Sequence, residues 1–377
     1  MRSYDAIVIG GGPAGSTCAG ALREQGLQVV LLDKARFPRD KVCAGWITPG
    51  VVRALALDVK AYGEHHLIQP LRAFRTGLLD GPQHETRYGE VVSYGIRRRE
   101  FDHYLLQRAN VRLRLGDPVH SIRQRLKQWV VNDELAAPLL IGAGGHFCPV
   151  ARYLGRCGPD TPSLVVAQEI EFPMSAAQQL ACAIAPDRPE LFFCQDLKGY
   201  GWAMRKGSYL NIGLGREDSR HLSQHLVDFC ARLQARGKLP PEMPMDFKGH
   251  AYHLWGQARR RLLAPGMLLI GDAAGMATPQ SGEGIGPAIE SAQLAASVVQ
   301  LARGDYRFEN LYPYVQALRQ CLGKPPASLP TPPLLESLRS LAGRALMGSA
   351  WFNHHVVLDR WFLGRAGGLR PAGAQLS

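Results

Sequence analysis

The residues with the clearest chemical purpose are three glycines and one aspartate near the N-terminus. Gly10, Gly12 and Gly15 follow the order G-x-G-x-x-G, and Asp33 stands eighteen residues after Gly15. In such a pattern the first glycine allows a tight turn, the second lets the backbone approach a pyrophosphate, and the third lets a helix pack closely on a strand. The helix offers unpaired N–H groups to the phosphates, and the acid accepts hydrogen bonds from an adenosine ribose. The spacing therefore predicts a dinucleotide site, without saying which dinucleotide.

Two later stretches and one arginine also suit an anionic ligand. Gly271-Asp272 ends an apolar run, and the glycine-rich loop 279–286 leads directly into an apolar helix. A glycine-rich loop ahead of a helix N-terminus favours close backbone contact with an anion, whereas a flexible linker fits poorly there. Arg98 lies in the basic triplet 97–99, which is either a solvated face or, at Arg98, a phosphate partner.

One cysteine and one pair of histidines are further candidates for a role in ligand or metal binding. Cys43 precedes Ala44-Gly45, where the backbone can approach a ligand closely, but a single cysteine is more often a small buried apolar side chain. His221 and His225 have the i, i+4 spacing of a metal pair on a helix. Since no third ligand stands nearby in the sequence, we interpret them as a solvated helix face and predict no metal site.

The elements that position these residues alternate as in a nucleotide-binding fold. Apolar runs at 6–9 and 28–32 predict strands around a helix at 16–25, and residues 71–90 predict a hairpin broken at 80–82. Apolar runs between 164 and 214 predict a second, antiparallel sheet, which is a natural floor for a substrate pocket. We expect nucleotide-binding portions at 1–160, with a short insertion at 65–95, and at 261–305. A substrate domain at 161–260 and C-terminal helices and tail at 306–377 complete the chain.

The composition describes a soluble globular protein with a basic surface. Hydrophobic residues make up 46% and charged residues 20%, and the net charge is +12. Such a surface attracts cofactor phosphates, an anionic substrate or an anionic lipid surface, but no dense basic run with interleaved aromatics indicates nucleic acid. Scattered cysteines without a paired spacing indicate a reducing setting. Because the nucleotide motif begins within the first ten residues, we expect no signal peptide. No apolar run in the sequence approaches the ~20 residues that a membrane span needs. We expect a cytoplasmic protein, at most peripheral at a membrane.

The C-terminal part leaves two interpretations open. From Phe308 onward two or three helices are predicted, split by the proline-rich segment 324–333, and residues from Ala366 on are predicted to be disordered. The segment 345–363 mixes aromatic residues such as Trp351 and Trp361 with arginines. Ordinary packing on the substrate domain is the simpler interpretation, and an amphipathic lid or membrane-surface helix is the other.

Taken together, these motifs resemble a known flavoprotein superfamily. The fingerprint at 10–15, Gly271-Asp272 and the segment Arg98-x-x-Phe101-Asp102 are similar to those of the aromatic hydroxylases and their relatives. The segment Phe37-Pro-Arg-Asp-Lys-Val-Cys43-Ala-Gly45 and the elements at 199–202 and 211–215 look like the geranylgeranyl reductase family. The resemblance covers about residues 1 to 305. It implies an α/β (α+β overall) fold: a Rossmann-type FAD-binding domain with an inserted antiparallel-sheet substrate domain and a helical C-terminal tail.

The resemblance also implies a cofactor, an activity and the residues that serve them. FAD would lie along the fingerprint and the second glycine loop, and reduced flavin would deliver hydride to a carbon–carbon double bond of an apolar, isoprenoid or lipid substrate. Cys43 would face the flavin as the candidate for proton delivery or substrate positioning, and Tyr200 and Trp202 would line the pocket. Implied cofactor contacts are Gly10, Gly12, Pro13, Ala14, Gly15, Asp33, Lys34, Lys41, Ala44, Gly45, Arg98, Gly271, Asp272, Gly282, Gly284 and Ile285.

Two departures from the family pattern keep alternatives open. The segment 142–145 lacks the carboxylate that the superfamily associates with FAD and NAD(P)H contact, so the electron donor is either NADPH or a reduced protein carrier. Met204-Arg205 replaces an aromatic–proline pair and alters the pocket floor. The runner-up function is an FAD-dependent monooxygenase acting on a hydrophobic or aromatic substrate, and a third is a flavin-binding electron carrier without turnover. The sequence is silent on the oligomeric state.

Overall fold

The computed structural model describes residues 1–155, 164–218, 220–323 and 341–365. Strands β1–β20 span, in chain order, Arg2–Ser3, Ala6–Ile9, Val29–Asp33, Trp46–Ile47, Ile68–Leu71, Ala73–Leu78, Gln83–Arg87, Ser93–Ile96, Arg112–Leu115, Ile122–Arg125, Gln128–Val131, Leu135–Ala137, Leu139–Gly142, Val165–Pro173, Glu190–Phe193, Gly199–Lys206, Tyr209–Arg216, Lys248–Tyr252, Leu263–Ala264 and Met267–Leu269. Helices α1–α9 span Pro13–Glu24, Pro49–Ala54, Val59–Gly63, Arg98–Ala109, Pro149–Leu154, Ala176–Ala181, Leu222–Ala235, Ile285–Ala302 and Phe308–Leu322, and a 3-10 turn occupies Gly271–Ala273.

A six-stranded sheet in the order β19-β20-β13-β2-β3-β9 carries the glycine motifs. Its pairs are parallel except β19 with β20. The strands β2 and β13 are wholly buried apolar runs, as expected where helices cover both faces of a parallel sheet. The strand order reverses between β2 and β13, and in such sheets a crevice for ligands opens at the carboxyl ends of the strands at that point. The predicted strand–helix–strand unit at 6–32 is confirmed.

Helices on this sheet complete the nucleotide-binding core. The helix α1 packs against α4 and α8, and α9 lies against α8. The buried Tyr314 hydroxyl of α9 donates a 2.7 Å hydrogen bond to the Leu269 carbonyl at the end of β20. The first C-terminal helix therefore belongs to the packing of this core.

A seven-stranded sheet in the order β18-β14-β17-β16-β15-β6-β7 forms the second layer. The predicted antiparallel pairing of β14, β16 and β17 is confirmed, and the predicted hairpin is β6–β7. One pair differs from the expected pattern, because β15 runs parallel to β6. The strands β6 and β7 of the 65–95 insertion thus extend this sheet, while β5 and β8 belong to a separate three-stranded sheet.

The two faces of the seven-stranded sheet pack against different parts of the protein. Because side chains alternate along a strand, Leu210, Ile212 and Leu214 of β17 point to one face, where they join a core with Leu226 and Phe229 of α7. The opposite face carries the alternate residues and turns toward the nucleotide-binding part. On α7, His225 is exposed, as is His221 just before it.

Two small sheets lie beside these layers. One has the order β1-β12-β11-β10, and the other has the order β4-β8-β5 and begins just after the Cys43 loop. The three-stranded sheet brings Trp46 next to Phe74 of the large sheet, with ring centroids 4.9 Å apart.

Residues 341–363, the C-terminal cap, pack against the seven-stranded sheet on the face that carries Phe193, Trp202 and Met204. Residues 341–347 are helical, and Ala350–Phe352 leads into a π-helix at Asn353–Phe362. Val357, Leu358 and Phe362 are buried in a core with residues of the sheet, in agreement with the packing interpretation. The predicted proline-rich break at 324–333 and the predicted disorder from Ala366 on lie outside the described residues. Within the described ranges, every helix is too short or too polar to cross a bilayer.

Candidate active site

A cavity of about 570 Å³ runs from the glycine turn after β2 to the facing side of the seven-stranded sheet. It brings together most of the residues that the sequence assigned to a cofactor or a substrate. Those that line it are Gly10, Gly12, Pro13, Ala14, Asp33, Lys34, Lys41, Cys43, Ala44, Arg98, Tyr200, Trp202, Asp272, Gly284 and Ile285. Four predicted residues lie outside its lining, namely Gly15, Gly45, Gly271 and Gly282.

The glycine turn shows why two of its positions exclude a side chain. A Cβ on Gly10, where φ is +114°, would lie 2.3 Å from the Ala143 carbonyl oxygen, and one on Gly15 would lie 1.8 Å from the Gly10 oxygen. At Gly12 the nearest atom to a Cβ would be Arg39 Nη2 at 3.6 Å, so this position faces open cavity. Gly10 and Gly15 therefore serve close packing, while Gly12 leaves room for a ligand against the backbone.

Two helices point their N-termini at this cavity. The helix α1 begins after Gly12 and α8 after Gly284, and neither receives a cap hydrogen bond from its N-cap side chain, since both caps are glycine. Free N–H groups and the positive dipole end of a helix bind phosphate and other anionic groups. Together with the lysines and arginines on the walls, this donor set fits a dinucleotide with a central pyrophosphate and a ring that becomes anionic on reduction, as in FAD.

Lys41 adds a cation whose charge depends on its surroundings. Burial lowers the pKa of Lys41 to about 8, the carboxylate of Asp272 opposes that decrease, and the Arg98 guanidinium reinforces it. An anionic ligand in the cavity favours the protonated form.

Asp33 and Arg98 both make hydrogen bonds within the protein. Asp33 Oδ2 accepts from Gly11 N at 2.7 Å and Oδ1 from Ala35 N at 2.8 Å. Each carboxylate oxygen retains a second acceptor site, so these bonds orient the group for a ribose hydroxyl. Arg98 donates through Nε and Nη2 to the buried Asp102 at 2.7 and 2.8 Å, so most of its guanidinium is already paired.

Asp272 pairs with a histidine that the sequence did not single out. His250 Nε2 lies 3.4 Å from Asp272 Oδ2, and both residues line the cavity. Burial raises the pKa of Asp272, but the His250 contact and the charges of Lys41 and Arg98 outweigh burial and hold that pKa below its usual value. Asp272 is therefore a carboxylate available to accept hydroxyl groups of a ligand.

Cys43 lies where the cavity meets the seven-stranded sheet. Its Sγ accepts from Gly45 N at 3.4 Å, and the Arg98 guanidinium lies close enough to interact with the sulfur electrostatically. Gly45 has φ +65°, and a Cβ there would lie 2.2 Å from the Ile96 carbonyl oxygen, so the loop can follow this path only with glycine.

A second, apolar chamber of about 270 Å³ adjoins the cavity. The two spaces share Tyr200, Trp202 and Tyr252 as common walls. Aromatic and aliphatic side chains dominate the chamber. Phe193, Leu197 and Leu254 come from the seven-stranded sheet and its loops, and Met347, Phe352 and Trp361 come from the C-terminal cap. Gly282 lines this chamber, where a Cβ would lie 2.6 Å from the Tyr252 hydroxyl.

The aromatic walls are held by hydrogen bonds. The Tyr200 hydroxyl donates to the Ser281 carbonyl at 2.5 Å, and Trp202 Nε1 donates to Asn211 Oδ1 at 2.7 Å. A Cβ on Gly213 would lie 2.2 Å from the Trp202 ring, so this glycine makes room for the indole on the facing strand. The chamber is thus a preformed apolar space next to the cavity that Cys43 lines.

Sequence reasoning missed several polar residues on this face. Glu169, Asn211 and Lys206 are all buried and lie beneath the Cys43 loop, while His250 and Tyr252 line the cavity. A signal was present in the strand Val165–Pro173, because Glu169 and Glu171 stand two residues apart in a largely apolar strand and so place a carboxylate pair on one face. The partners of that pair depend on strand register and could not be read from the sequence.

The two departures from the family pattern lie at different places. The segment 142–145 packs its backbone against Gly10 at the mouth of the cavity. Met204 is buried on the same sheet face as Trp202, whereas Arg205 points to the other face and donates to Gln179. Only the methionine therefore alters the apolar floor.

Among the described residues, one group has metal-type donors within reach of one another, namely His354, His355 and Asp359 of the cap. The two imidazole rings stack with centroids 4.2 Å apart and planes inclined by 18°. A metal lies in the plane of each imidazole that binds it, and one ion cannot lie in two stacked planes. This geometry favours ion pairs with Asp359, whose other oxygen accepts from the Tyr88 hydroxyl at 2.9 Å.

Comparison with known proteins agrees with the FAD-binding fold inferred from the cavity. The family described as FAD dependent oxidoreductase matches residues 5–101. A digeranylgeranylglycerophospholipid reductase of Methanothrix thermoacetophila is 29% identical over 344 residues, which cover 85% of this chain and 84% of that protein. A menaquinone reductase of Mycolicibacterium smegmatis is 28% identical and covers 78% of this chain and 76% of its own length.

A solved structure supports the fold. A geranylgeranyl bacteriochlorophyll reductase-like protein of Thermoplasma acidophilum matches with a TM-score of 0.73 at 19% identity, covering 92% of this chain and 88% of that one. The parallel sheet, its glycine turn and the uncapped helix N-termini account for a bound dinucleotide on physical grounds. Residues 5–101 match the family of FAD-dependent oxidoreductases, and over most of its length the chain is similar to a digeranylgeranylglycerophospholipid reductase and to the fold of a geranylgeranyl reductase-like protein.

Proposed function

We propose that the protein reduces carbon–carbon double bonds in the isoprenoid chain of a lipid or quinone. The observation that carries this proposal is the apolar chamber, which shares Tyr200, Trp202 and Tyr252 with the cavity that Cys43 lines. An alkene has no polar handle, so its position must come from the shape and apolar contacts of such a space.

The relatives support the substrate class. The two named above are a reductase of a digeranylgeranyl lipid and a reductase of menaquinone, and both names denote compounds that carry isoprenoid chains. The chamber here has aromatic walls and room for a few isoprene carbons at a time, which suits a segment of a long chain.

FAD, when bound and reduced, supplies the hydride for such a reaction. The chain supplies the matching proton, and we assign its delivery to Cys43 Sγ, a thiol on the wall of the cavity. The Arg98 guanidinium beside this sulfur balances the charge that remains when the proton leaves. Trp202 and Tyr200 orient the double bond, while Gly10, Gly12, Asp33, Lys41 and Asp272 hold the cofactor.

We further propose that the electron donor for the flavin is anionic. Lys34, Arg39 and Arg152 stand on the cavity walls and suit an anionic donor, either the phosphates of NADPH or the acidic face of a reduced carrier protein. Rapid mixing with NADPH separates the two, because only direct use bleaches the flavin absorbance without an added carrier.

The C-terminal cap suits contact with the membrane that holds a lipid substrate. Leu341, Leu346 and Trp351 are exposed there, Trp351 by 65%, although the opposite side of the cap closes the chamber. Apolar side chains on a protein of net charge +12 favour the surface of an anionic bilayer.

Product mass tests the proposed reaction. The purified protein is reduced and incubated with prenyl lipids and with menaquinone. A gain of about two mass units per double bond supports reduction, and a gain of about sixteen would indicate the monooxygenase instead. Unchanged lipid masses with every substrate would favour an electron carrier.

A further inference from the structure

Side chains from the seven-stranded sheet hold the main chain of the Cys43 loop. Cys43 N donates to Glu169 Oε1 at 2.7 Å, and Asn211 Nδ2 donates to the Cys43 carbonyl at 3.3 Å. One residue on, Lys206 Nζ donates to the Ala44 carbonyl at 2.9 Å and also to Ile96 at 3.0 Å. Both backbone polar groups of the candidate proton donor thus depend on side chains from the other layer.

The register of the sheet places these side chains together. Glu169 lies on β14, Asn211 on β17 and Lys206 on β16, and the alternation along each strand turns all three toward the loop. They are almost completely buried, with exposures of 6%, 1% and 0%.

Trp202 fixes the orientation of the asparagine. Because Trp202 Nε1 donates to Asn211 Oδ1, the amide Nδ2 must face the other way, where it meets Glu169 Oε2 at 3.0 Å and the Cys43 carbonyl. A continuous chain of hydrogen bonds therefore joins the aromatic wall of the chamber to the Cys43 main chain.

Burying a carboxylate to hold a loop costs free energy of folding, because the charge loses its hydration. Both Glu169 oxygens accept N–H groups, so the geometry calls for the charged form, yet burial raises the pKa of Glu169 to about 7. Replacing a buried charge by an uncharged group of similar size is often neutral or stabilising. Stability alone therefore does not account for Glu169.

We propose that Glu169 and Asn211 are positioning residues that fix the main chain of Cys43 and couple it to Trp202. The assignment rests on the proposed function, in which the Cys43 thiol delivers a proton from the wall of the cavity. Neither residue touches the substrate; each acts through the loop it holds.

Protonation of Glu169 removes one of its two hydrogen bonds, to Cys43 N or to Asn211 Nδ2. A neutral carboxyl group would direct an O–H toward neighbours that are themselves donors, so one contact is lost. The charged groups that face Glu169 are Lys206 of β16 and Glu171 of its own strand, and Glu171 in turn pairs with Lys206 at 2.5 Å and with Arg97 at 3.3 Å. We expect kcat to decrease as the pH falls through about 7.

Glu169→Gln is the first variant, because it keeps the size of the side chain and removes the charge. Its amide can still accept from Cys43 N, but its NH₂ group opposes that of Asn211. We expect kcat to fall about 10²-fold, with KM changed less than about threefold and flavin retained. Cys43 should react several-fold faster with iodoacetamide, measured by peptide mass against the exposed Cys321 of the same chain.

A structural role and a positioning role predict different stabilities. Since the raised pKa means that ionised Glu169 costs folding free energy at pH 8, the glutamine variant should unfold there at the same or a higher temperature than wild type. Glu190→Gln is the matched control: Glu190 is a fully buried carboxylate of β15, paired with Lys238 and remote from Cys43, and its loss should leave the Cys43 labelling rate unchanged.

Asn211→Ala provides a second, independent variant. It frees both the Cys43 carbonyl and Trp202 Nε1, so we expect kcat to fall and KM to rise together, again with faster labelling of Cys43. Unchanged labelling in both variants overturns the positioning role, whether or not the wild type reduces lipids. Faster labelling in both variants supports it even if the wild type fails to reduce any lipid, in which case only the proposed function fails.

Discussion

At the scale of single residues, Cys43 combines a thiol, a cationic neighbour and a fixed main chain. The sulfur accepts from Gly45 N and lies next to Arg98, while the carbonyl and N–H are held from the sheet. The thiol is not part of the glycine turn or of the two helix N-termini that suit phosphate groups. Its loss should therefore affect turnover and not cofactor retention.

Cys43→Ser tests this separation. A serine hydroxyl is a much weaker acid than a thiol, so we expect kcat to fall about 10²- to 10⁴-fold while flavin is retained. The measurement is steady-state reduction of a prenyl lipid alongside the visible flavin spectrum. Cys321→Ser, at an exposed thiol of α9, is the control and should leave turnover unchanged. Full activity in the Cys43 variant would remove the residue from the mechanism.

Lys41 predicts a pH dependence of cofactor binding. Since burial lowers its pKa to about 8, raising the pH from 7 to 9 removes a positive charge from the wall of the cavity. The affinity of the flavin-free protein for FAD should decrease over this range, as quenching of flavin fluorescence can measure.

Lys41→Gln should bind FAD more weakly at pH 7 and lose most of that pH dependence. Lys60→Gln, which removes an exposed charge from α3, should behave as wild type. A wild-type affinity that is constant between pH 7 and 9, or a slope kept in the Lys41 variant, would show that this lysine does not contact the cofactor phosphates.

The sequence predicted residues whose role is local and missed those whose role depends on distant partners. The glycine turn could be predicted because its reason, close approach of backbone to backbone, is contained in a few neighbouring residues. Glu169, Asn211 and Lys206 come from three strands, and only the register that aligns these strands brings them to Cys43.

At the scale of elements, β17 shows how one strand serves two layers. Its inward residues form the core with α7, while Asn211, Gly213 and Gly215 alternate on the face toward the cavity. The small residues let the Trp202 indole lie across the strand, and the asparagine holds its N–H. The motif at 211–215 thus alternates apolar residues that fill the core with an asparagine and two glycines on the face that holds Trp202.

Gly213→Ala should displace the indole. A Cβ there would lie 2.2 Å from the Trp202 ring, so we expect a loss of about 1–3 kcal/mol in the free energy of unfolding and a higher KM. Urea denaturation followed by tryptophan fluorescence measures the first effect. Gly215→Ala is the matched control on the same face, since its Cβ would have its nearest neighbour at 3.7 Å, and it should change stability by at most about 1 kcal/mol. Equal effects of both substitutions would contradict this role of Gly213.

The elements could be predicted from periodicity, whereas some pairings could not. The strand–helix–strand unit, the hairpin at 73–87 and the antiparallel strands at 165–216 agree with their patterns. The parallel contact of β15 with β6 joins segments more than a hundred residues apart, and no local pattern specifies it.

At the scale of the whole molecule, two sheets and a helical cap meet around two adjoining spaces with common walls. The parallel sheet supplies the cofactor cavity, the large sheet supplies the polar and aromatic floor, and the cap closes the apolar chamber. The active site therefore depends on the docking of layers that are distant along the chain.

The cap predicts binding to anionic vesicles. The protein should co-sediment with vesicles that contain phosphatidylglycerol and should do so less at high salt, because both charge and exposed apolar residues contribute. Trp351→Ser should reduce binding while turnover of a detergent-solubilised substrate is kept. Equal binding by the variant would exclude this face of the cap.

The central claim is that reduced flavin in this protein passes its hydride directly to a carbon–carbon double bond. Its most direct test is to mix the photoreduced holoenzyme with a prenyl lipid under strict exclusion of oxygen and to follow the absorbance of oxidised flavin. We expect oxidised flavin to return at a rate that increases with lipid concentration, with a saturated double bond formed in equal amount. Reduced flavin that persists until oxygen is admitted would contradict the account.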